Sequence, residues 1–150
     1  MDHPNMHSVS VSGVILDGQG RALLIQRRDN GHWEAPGGVL ERDEDIISGL
    51  LREVHEETGL DVVPHAMTGV YKNMTRGIIA LVFRCEAVGG ELSVNDEARA
   101  FRWATADEVR DLATEAYAVR VLDAIQALSS PAVRAHDGVR ITGDRALLPR

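Results

Sequence analysis

Apolar and polar residues alternate along much of this chain, and the alternation predicts a protein built largely of β-strands. Successive side chains of a strand point to opposite faces, so a period of two is typical of a half-buried strand. Strands or short extended segments are predicted at residues 8–16, 22–26, 33–36, 62–71, 78–88 and 98–104. A polar, glycine-containing turn at residues 17–20 separates the first two strands, which we therefore expect to pair as a hairpin.

One amphipathic helix is predicted between these strands, at residues 45–58. Its apolar residues recur at spacings of three and four and predict a single stripe facing the core: Ile46, Ile47, Leu50, Leu51 and Val54. Asp45 is a suitable N-cap and Gly59 a suitable C-terminal stop. The helix thus has a defined beginning and end.

Two further helices follow the strands. Thr105 and Glu108 have the spacing of a capping box and open a short helix, and residues 115–128 predict a second one. Beyond residue 131 the pattern weakens: segments 133–135 and 139–141 around Asp137-Gly138 predict either a small hairpin or a disordered tail. The order of elements predicts one domain over residues 1–150, with a core at about 8–128 and a mixed sheet covered by helices.

Composition and charge narrow the class of protein. The chain has 150 residues and a formal net charge of −7, so it has no general attraction for the backbone of a nucleic-acid polymer. Cys85 is the single cysteine and lies in an apolar run, which indicates a buried, inert thiol. No apolar stretch has the ~18–20 residues of a membrane span or signal segment. We expect a cytoplasmic protein without a membrane partner.

Three carboxylates on the amphipathic helix are the main candidates for chemistry. Glu53, Glu56 and Glu57 lie three and four residues apart, so they share one side of the helix. They repel one another there and lie in the C-terminal half, where the helix dipole disfavours anions. A hard divalent cation would offset both effects. Oxygen ligands favour magnesium or manganese, and the chain has no paired cysteine or histidine spacing for zinc.

Residues 38–60 resemble the signature of the Nudix hydrolases. Gly38 is followed after five residues by Glu44, and after seven more by Arg52-Glu53-Val54-His55-Glu56-Glu57-Thr58-Gly59-Leu60, so every fixed position is filled. The lead-in at 33–38 is also similar, and the resemblance extends over about residues 8–128. It implies an α/β/α sandwich with a central mixed sheet. Asp43, Asp45 and Gly49 depart from the usual residues at variable positions.

The resemblance implies roles for individual residues. Glu53, Glu56 and Glu57 would bind magnesium together with the backbone carbonyl of Gly38. Arg52 and Glu44 would pair and fix the loop against the helix. Glu97 matches a downstream glutamate that binds metal or helps to deprotonate water, and the general base stays open between Glu53 and Glu97. The catalytic candidates are thus Arg52, Glu53, Glu57 and Glu97.

Three basic side chains are candidates for contacting the substrate. Arg27, at the end of the second strand, and Lys72 and Arg76, around a polar turn, are candidates for binding phosphate; each has the alternative of being an ordinary surface charge. The partner would be a small nucleotide. Whether the protein forms a homodimer stays open.

The resemblance implies hydrolysis of a nucleoside diphosphate linked to a further group. A nucleoside triphosphate, oxidised or not, is favoured, because Thr75-Arg76-Gly77 replaces the proline that tends to mark ADP-ribose enzymes. The tyrosine typical of dinucleoside polyphosphate enzymes is also missing there. ADP-ribose or another nucleotide sugar is the alternative substrate. The alternative of another class is a non-catalytic nucleotide sensor, although such domains usually lack some of the glutamates kept here.

Overall fold

The computed structural model describes residues 4–145, which form nine strands and three helices in this order: β1 (Ser8–Ile15), β2 (Ala22–Arg27), β3 (Trp33–Glu34), β4 (Gly37–Val39), α1 (Ile46–Thr58), β5 (Leu60–Asn73), β6 (Ile78–Gly90), β7 (Ala98–Ala104), α2 (Ala106–Leu112), α3 (Glu115–Gln126), β8 (Ala132–His136) and β9 (Ile141–Arg145). Within that range no helix is long and apolar enough to cross a membrane.

The strands form two sheets. The larger sheet has the order β4-β1-β6-β5-β8-β9 and is mixed, because β1 runs parallel to β6 and β5 parallel to β8 while its other pairs are antiparallel. The smaller sheet is antiparallel, with the order β3-β2-β7. The predicted mixed sheet covered by helices is confirmed.

Side chains that alternate along the strands divide the core into two layers. Val11 and Ile15 of β1 pack with Leu50 and Val54 of α1. Val14, on the opposite face of β1, packs in a second cluster with residues of α2 and α3. Helices therefore cover the sheets from two sides, as the predicted α/β/α sandwich requires.

The hairpin predicted for the first two strands is wrong. β1 pairs with β4 on one edge and β6 on the other, and only an isolated bridge between Leu16 and Ala22 joins it to the start of β2. Val11–Ile15 are all buried, as expected for a central strand with helices on both faces. The turn at 17–20 instead carries the chain from one sheet into the other.

Helix α1 has the predicted ends but a narrower buried face than predicted. The Asp45 carboxylate accepts a hydrogen bond from the Ser48 amide (2.8 Å), and Gly59 closes the helix in the left-handed conformation at φ 83°. Leu50 is fully buried, whereas Leu51 is 37% exposed and Ile46 and Ile47 are each 41% exposed. The apolar stripe predicted for α1 is therefore wider than the face that is buried. The sheet covers only the side of the helix that carries Leu50, Val54 and Glu57.

The C-terminal segment extends the main sheet. β8 pairs in parallel with β5, and β9 pairs antiparallel with β8 after a turn in which the Asp137 carboxylate accepts from the amides of Val139 and Arg140. The last strand begins at Ile141, later than the predicted 139. Residues 146–150 of the predicted tail lie outside the described residues. The predicted capping box of α2 is present at Thr105 and Glu108.

The contrast between Leu50 and Leu51 provides a test of how α1 packs. Both are leucines in the same helical turn, so substitution by alanine changes helix propensity equally. We expect Leu50→Ala to lower the free energy of unfolding by about 2–5 kcal/mol, because it leaves a cavity between α1 and the sheet. Leu51→Ala should cost under about 1 kcal/mol, as substitutions at largely exposed positions do. Equal losses in urea unfolding would contradict this packing.

Candidate active site

A cleft between α1, β4 and the loop before β7 is lined by five carboxylates, one of which, Asp29, is paired with Arg27. Its walls hold Glu53 and Glu57 from α1, the backbone of Gly37–Val39, and Asp96 and Glu97 from the loop. Glu53 and Glu57 lie one helical turn apart, so α1 presents both to β4. Local helix geometry and the pairing of β4 with β1 therefore build this site from distant parts of the chain.

Glu57 is the most deeply placed of these carboxylates, at 6% exposure. One of its oxygens accepts a hydrogen bond from the amide of Gly37 at 2.6 Å. The pKa of Glu57 is raised to about 8, mainly by burial and also by the nearby negative charges of Glu97 and Glu34, while the Gly37 hydrogen bond opposes the shift. Burial also raises the pKa of Glu53. The site thus holds negative charge that no basic group fully compensates.

The two glycines of β4 allow the close approach of α1 and β1. A Cβ at Gly38 would lie 2.3 Å from a carboxylate oxygen of Glu53, and a Cβ at Gly37 would lie 2.2 Å from the carbonyl oxygen of Val11. Neither distance is possible for a real side chain. The Gly-Gly pair therefore lets the Glu53 carboxylate lie directly against the backbone of β4.

Arg52 ties the preceding loop to the helix. Its guanidinium donates two hydrogen bonds to the Glu44 carboxylate, at 2.9 Å and 2.6 Å, and a third to Glu53 at 2.9 Å. The hydrogen bonds from the Arg52 side chain are the main reason why the pKa of Glu44 is lowered to about 2. Glu44 also accepts from the amide of Glu41. The ion pair implied by the resemblance is present, and it holds the loop at residues 40–44 over α1.

Gly49 of α1 leaves room for the loop that the Arg52–Glu44 ion pair holds over the helix. A Cβ there would lie 2.4 Å from Leu40 and 2.8 Å from the Glu44 carboxylate. The loss of helix propensity at this glycine, about 1 kcal/mol, is the cost of letting the loop approach the helix so closely.

The predicted residues are not all brought to the cleft. Glu56 is not among the residues that line the cleft; 57% of its side chain is exposed, and it contacts Arg52 at 3.2 Å. Arg27 lines the cleft, although its guanidinium is engaged by Asp29 (2.7 Å) and Glu34 (3.0 Å). Lys72 lines neither the cleft nor a second cavity that opens beside it. Side chains alternate along β5, so the neighbouring Asn73 faces that second cavity instead.

Sequence reasoning missed two residues of the loop before β7. Asn95 donates from its amide group to the backbone carbonyl of Glu57 at 2.6 Å and accepts from the amides of Glu97 and Ala98. It thereby fixes the loop to the end of α1 and holds Glu97 beside the cleft. Asp96 adds a carboxylate to the cleft wall. The run Asn95-Asp96-Glu97 is a sequence signal for a polar turn, but its partner on α1 is distant in sequence.

The donor set fits a hard divalent cation. Among residues 4–145, no three acidic, histidine or cysteine side chains already surround a common point as metal ligands would. However, the cleft offers oxygen ligands of the kind that magnesium prefers, above all two carboxylates whose pKa is raised, next to the backbone of Gly37 and Gly38. The uncompensated charge is what a cation would neutralise.

Known proteins are similar to this chain in sequence and in architecture. A family profile described as a NUDIX domain matches residues 6–124. A MutT-like protein of Streptomyces ambofaciens is 54% identical over 135 residues, which are 90% of this chain and 87% of that protein. An ADP-ribose pyrophosphatase of Methanocaldococcus jannaschii is 36% identical over 104 residues, or 65% of this chain and 59% of that protein. The crystal structure of an ADP-ribose pyrophosphatase from Streptococcus suis shares the fold, with a TM-score of 0.74, 22% identity and coverage of 87% of this chain and 100% of that chain.

The raised pKa of Glu57 makes a prediction about stability. A carboxyl group whose pKa rises on folding binds its proton more tightly in the folded state, so the metal-free protein loses stability as pH rises from 4.5 towards about 8. Glu57→Gln removes the charge and keeps an oxygen that accepts from Gly37. We expect it to increase the free energy of unfolding at pH 8, in EDTA, by at least about 1 kcal/mol, and by less at pH 5.

The matched control is Glu56→Gln, which removes a charge one residue away from an exposed side chain and should change the metal-free stability little. Urea unfolding at both pH values measures the difference. If Glu57→Gln destabilised the protein at pH 8, the carboxylate would have a compensating partner and this account of its burial would fail.

Proposed function

This chain belongs to the Nudix hydrolase family, and we propose that it is a magnesium-dependent pyrophosphohydrolase that converts a nucleoside triphosphate into a monophosphate and pyrophosphate. The observation that carries the proposal is a pair of carboxylates, the buried Glu57 and the partly buried Glu53, set against the glycine backbone of β4. Holding both charges in this cleft is unfavourable, because Arg52 contacts only Glu53, and a divalent ion in the cleft would compensate them. Manganese has the same preference for oxygen and would substitute.

In this proposal the residues of α1 hold the ion and orient it. Glu53 and Glu57 would provide carboxylate ligands, and the neighbouring Glu56 and the backbone at Gly38 would complete the protein's share. The Gly37 amide, which donates to Glu57, keeps that carboxylate turned towards the cleft. Arg52 holds Glu53 and the loop through Glu44 and thereby positions a ligand. When bound, the cation neutralises diphosphate charge and lowers the pKa of coordinated water.

We assign the general base to Glu97. Glu53 is engaged by Arg52 and would also bind the proposed ion, whereas Glu97 lies in the wall of the same cleft, on a loop that Asn95 fixes to α1. Glu97 accepts a proton from water as the water oxygen bonds to phosphorus. The bond from phosphorus to the bridging oxygen breaks, and the leaving phosphate group departs with that oxygen. Arg27 and Arg76 border the path of the phosphates.

A second substrate class is supported by a different observation. One relative named as an ADP-ribose pyrophosphatase is 36% identical to this chain over 104 residues, and the solved structure of another has a similar fold. Against this, the relative with 54% identity is named MutT-like, and the turn before β6 has Thr75-Arg76-Gly77 in place of the proline. We therefore place ADP-ribose second. Both substrates contain the diphosphate that the cleft is proposed to bind.

A panel of substrates tests the reaction. With Mg²⁺, we expect release of pyrophosphate from nucleoside triphosphates, with slower or no cleavage of ADP-ribose and dinucleoside polyphosphates. EDTA should abolish turnover, because the carboxylates lose the ion that they orient. Measured release of pyrophosphate and of monophosphate identifies the bond that is cut. Binding of nucleotides without any cleavage across the panel would instead indicate a sensor module.

Substitutions in the cleft test the assigned residues. Glu53→Gln, Glu57→Gln and Glu97→Gln should each lower kcat by about 10²-fold or more, because each removes a ligand charge or a proton acceptor. The matched control is Glu86→Gln, whose exposed carboxylate pairs with His65 on a distant part of the sheet and whose loss should leave kcat unchanged. Full turnover in both Glu53→Gln and Glu57→Gln would refute the assignment.

A further inference from the structure

The second cavity, which opens beside the carboxylate cleft, differs from the cleft in charge. The two share Arg27 and the backbone of Gly37–Val39, so a molecule whose diphosphate lies in the cleft reaches the cavity. All other residues in the wall of the cleft are acidic. Among the described residues, the cavity wall instead has one carboxylate, that of Glu34, and three arginines: Arg27, Arg76 and Arg120. In a chain whose net charge is −7, such a wall favours anions.

The carboxylate of Glu34 does not neutralise all of these arginines. It accepts a hydrogen bond from Nη1 of Arg27 at 3.0 Å, so the two form an ion pair between the cleft and the cavity. Within residues 4–145, no carboxylate forms an ion pair with Arg76 or Arg120. The wall of the cavity therefore keeps two positive charges in excess.

Arg120 is held in place by neutral groups. Its guanidinium carbon lies 5.4 Å from the centre of the Tyr71 ring and 4.8 Å from that of the Tyr117 ring. Its Nη2 lies 3.0 Å from Nε2 of the buried His136, whose pKa is lowered by burial and which is therefore an uncharged ring. Burial also lowers the pKa of Arg120, but an arginine keeps its charge. The side chain thus brings to the cavity a fixed cation that an anion would compensate.

Arg76 lines the cavity from a turn whose backbone is anchored. The side-chain carbonyl of the buried Asn73 accepts from the amides of Thr75 at 3.0 Å and Arg76 at 3.1 Å. At the end of the turn, the carbonyl of Gly77 accepts from the amide of Ser8 at 3.1 Å, which joins the turn to β1. The side chain of Arg76 is exposed. The fold therefore fixes the backbone of this arginine and leaves its guanidinium accessible.

A row of hydroxyl groups completes the wall of the cavity. Ser8, Ser10 and Ser12 alternate along β1, so they lie on one face of the strand, and all three line the cavity. Val14 continues the same face into the hydrophobic core. A hydroxyl donates one hydrogen bond, as a phosphate oxygen requires of its partner. The polar part of this strand face thus lies where the two unpaired arginines are.

We propose that this cavity is an anion site, which binds a phosphate group of the substrate beyond the diphosphate that is cleaved. The inference rests on the proposed cleavage of a diphosphate in the neighbouring cleft and restricts its substrates to those that carry such a further phosphate. A phosphate group carries up to about two negative charges, which matches the two arginines in excess. Its oxygens accept hydrogen bonds, and guanidinium groups only donate them.

An uncharged group would satisfy this wall less well than a phosphate does. It would leave the partly buried charge of Arg120 without an anion, which is unfavourable. The cavity is also small, with a volume of about 200 Å³, whereas sites that enclose a drug-sized ligand have roughly 300–1,000 Å³. A phosphate group fits this space, and a whole nucleoside would extend out of it. The terminal ribose of ADP-ribose is uncharged, in keeping with its place as the second substrate.

Two kinds of nucleotide bring such a phosphate. In a nucleoside triphosphate it is the terminal phosphate, next to the diphosphate that the cleft is proposed to bind. In other nucleotides it is carried by a ribose, as in NADP⁺, which has the central diphosphate of NAD⁺ and one phosphate more. The proposed function favours the terminal phosphate. Comparison of ATP with ADP and of NADP⁺ with NAD⁺ distinguishes the two sources.

Kinetics with these two pairs test the anion site. With Mg²⁺, we expect wild-type kcat/KM for ATP to exceed that for ADP by at least about tenfold, because hydrogen bonds to charged groups contribute that much. Arg76→Gln and Arg120→Gln should each remove most of this preference by lowering kcat/KM for ATP, and leave that for ADP nearly unchanged. The matched control is Arg110→Gln on α2, an exposed arginine paired with Asp107, which should keep the preference. The same preference for NADP⁺ over NAD⁺, in place of ATP over ADP, would assign the site to a ribose phosphate.

Binding of inorganic phosphate separates this inference from the proposed reaction. In EDTA, the metal-free wild type should bind inorganic phosphate in titration calorimetry, and Arg76→Gln should bind it at least about tenfold more weakly. Because Arg76 is exposed, this variant is expected to fold even where Arg120→Gln does not. If phosphate binds in this way but no nucleotide is cleaved, the proposed function fails and the anion site stands. Cleavage without preference in either pair, or unchanged phosphate binding in Arg76→Gln, overturns the anion site.

Discussion

The burial of Glu57 against β4 is the constraint on which the rest of the site depends. A carboxylate at 6% exposure, beside two other acidic side chains, is stable only if backbone donors and a cation compensate its charge. The Gly37 amide provides the donor, and that contact is possible only because α1 lies within side-chain distance of β4. The position of α1 on the sheet and the two glycines of β4 are therefore two parts of a single requirement.

The same requirement explains features that appear unfavourable when each is taken alone. Gly49 weakens the helix, yet a larger residue there would collide with the loop that supplies Glu44. Arg52 is committed to that loop and to Glu53, so it cannot act as a free counter-ion for the whole cleft. The folded protein is less stable than it could be because it holds a fixed set of oxygen atoms in place, as preorganised sites generally do. Binding of a cation to these oxygens then stabilises the folded state through linkage.

Local signals in the sequence were sufficient for α1, because its cap at Asp45, its stop at Gly59 and its glutamate spacing all lie within one segment. They failed where the answer depends on distant partners. The pairing of β1 with β6 depends on residues some seventy positions away, so the turn at 17–20 suggested a hairpin that does not form. The exposure of Ile46 and Leu51 follows from the orientation of α1 on the sheet. Arg120 drew no attention in the sequence, because Tyr71, Asp123 and His136 surround it only in the fold.

The cleft and the cavity beside it differ in charge. Carboxylates dominate the wall of the cleft, whereas Arg76 and Arg120 join the paired Arg27 and Glu34 in the wall of the cavity. In the proposed reaction a metal-bound diphosphate satisfies the cleft, and the group attached to the diphosphate reaches the cavity. Every substrate of this class brings the same diphosphate, so discrimination between nucleotides has to arise in the cavity and not among the carboxylates.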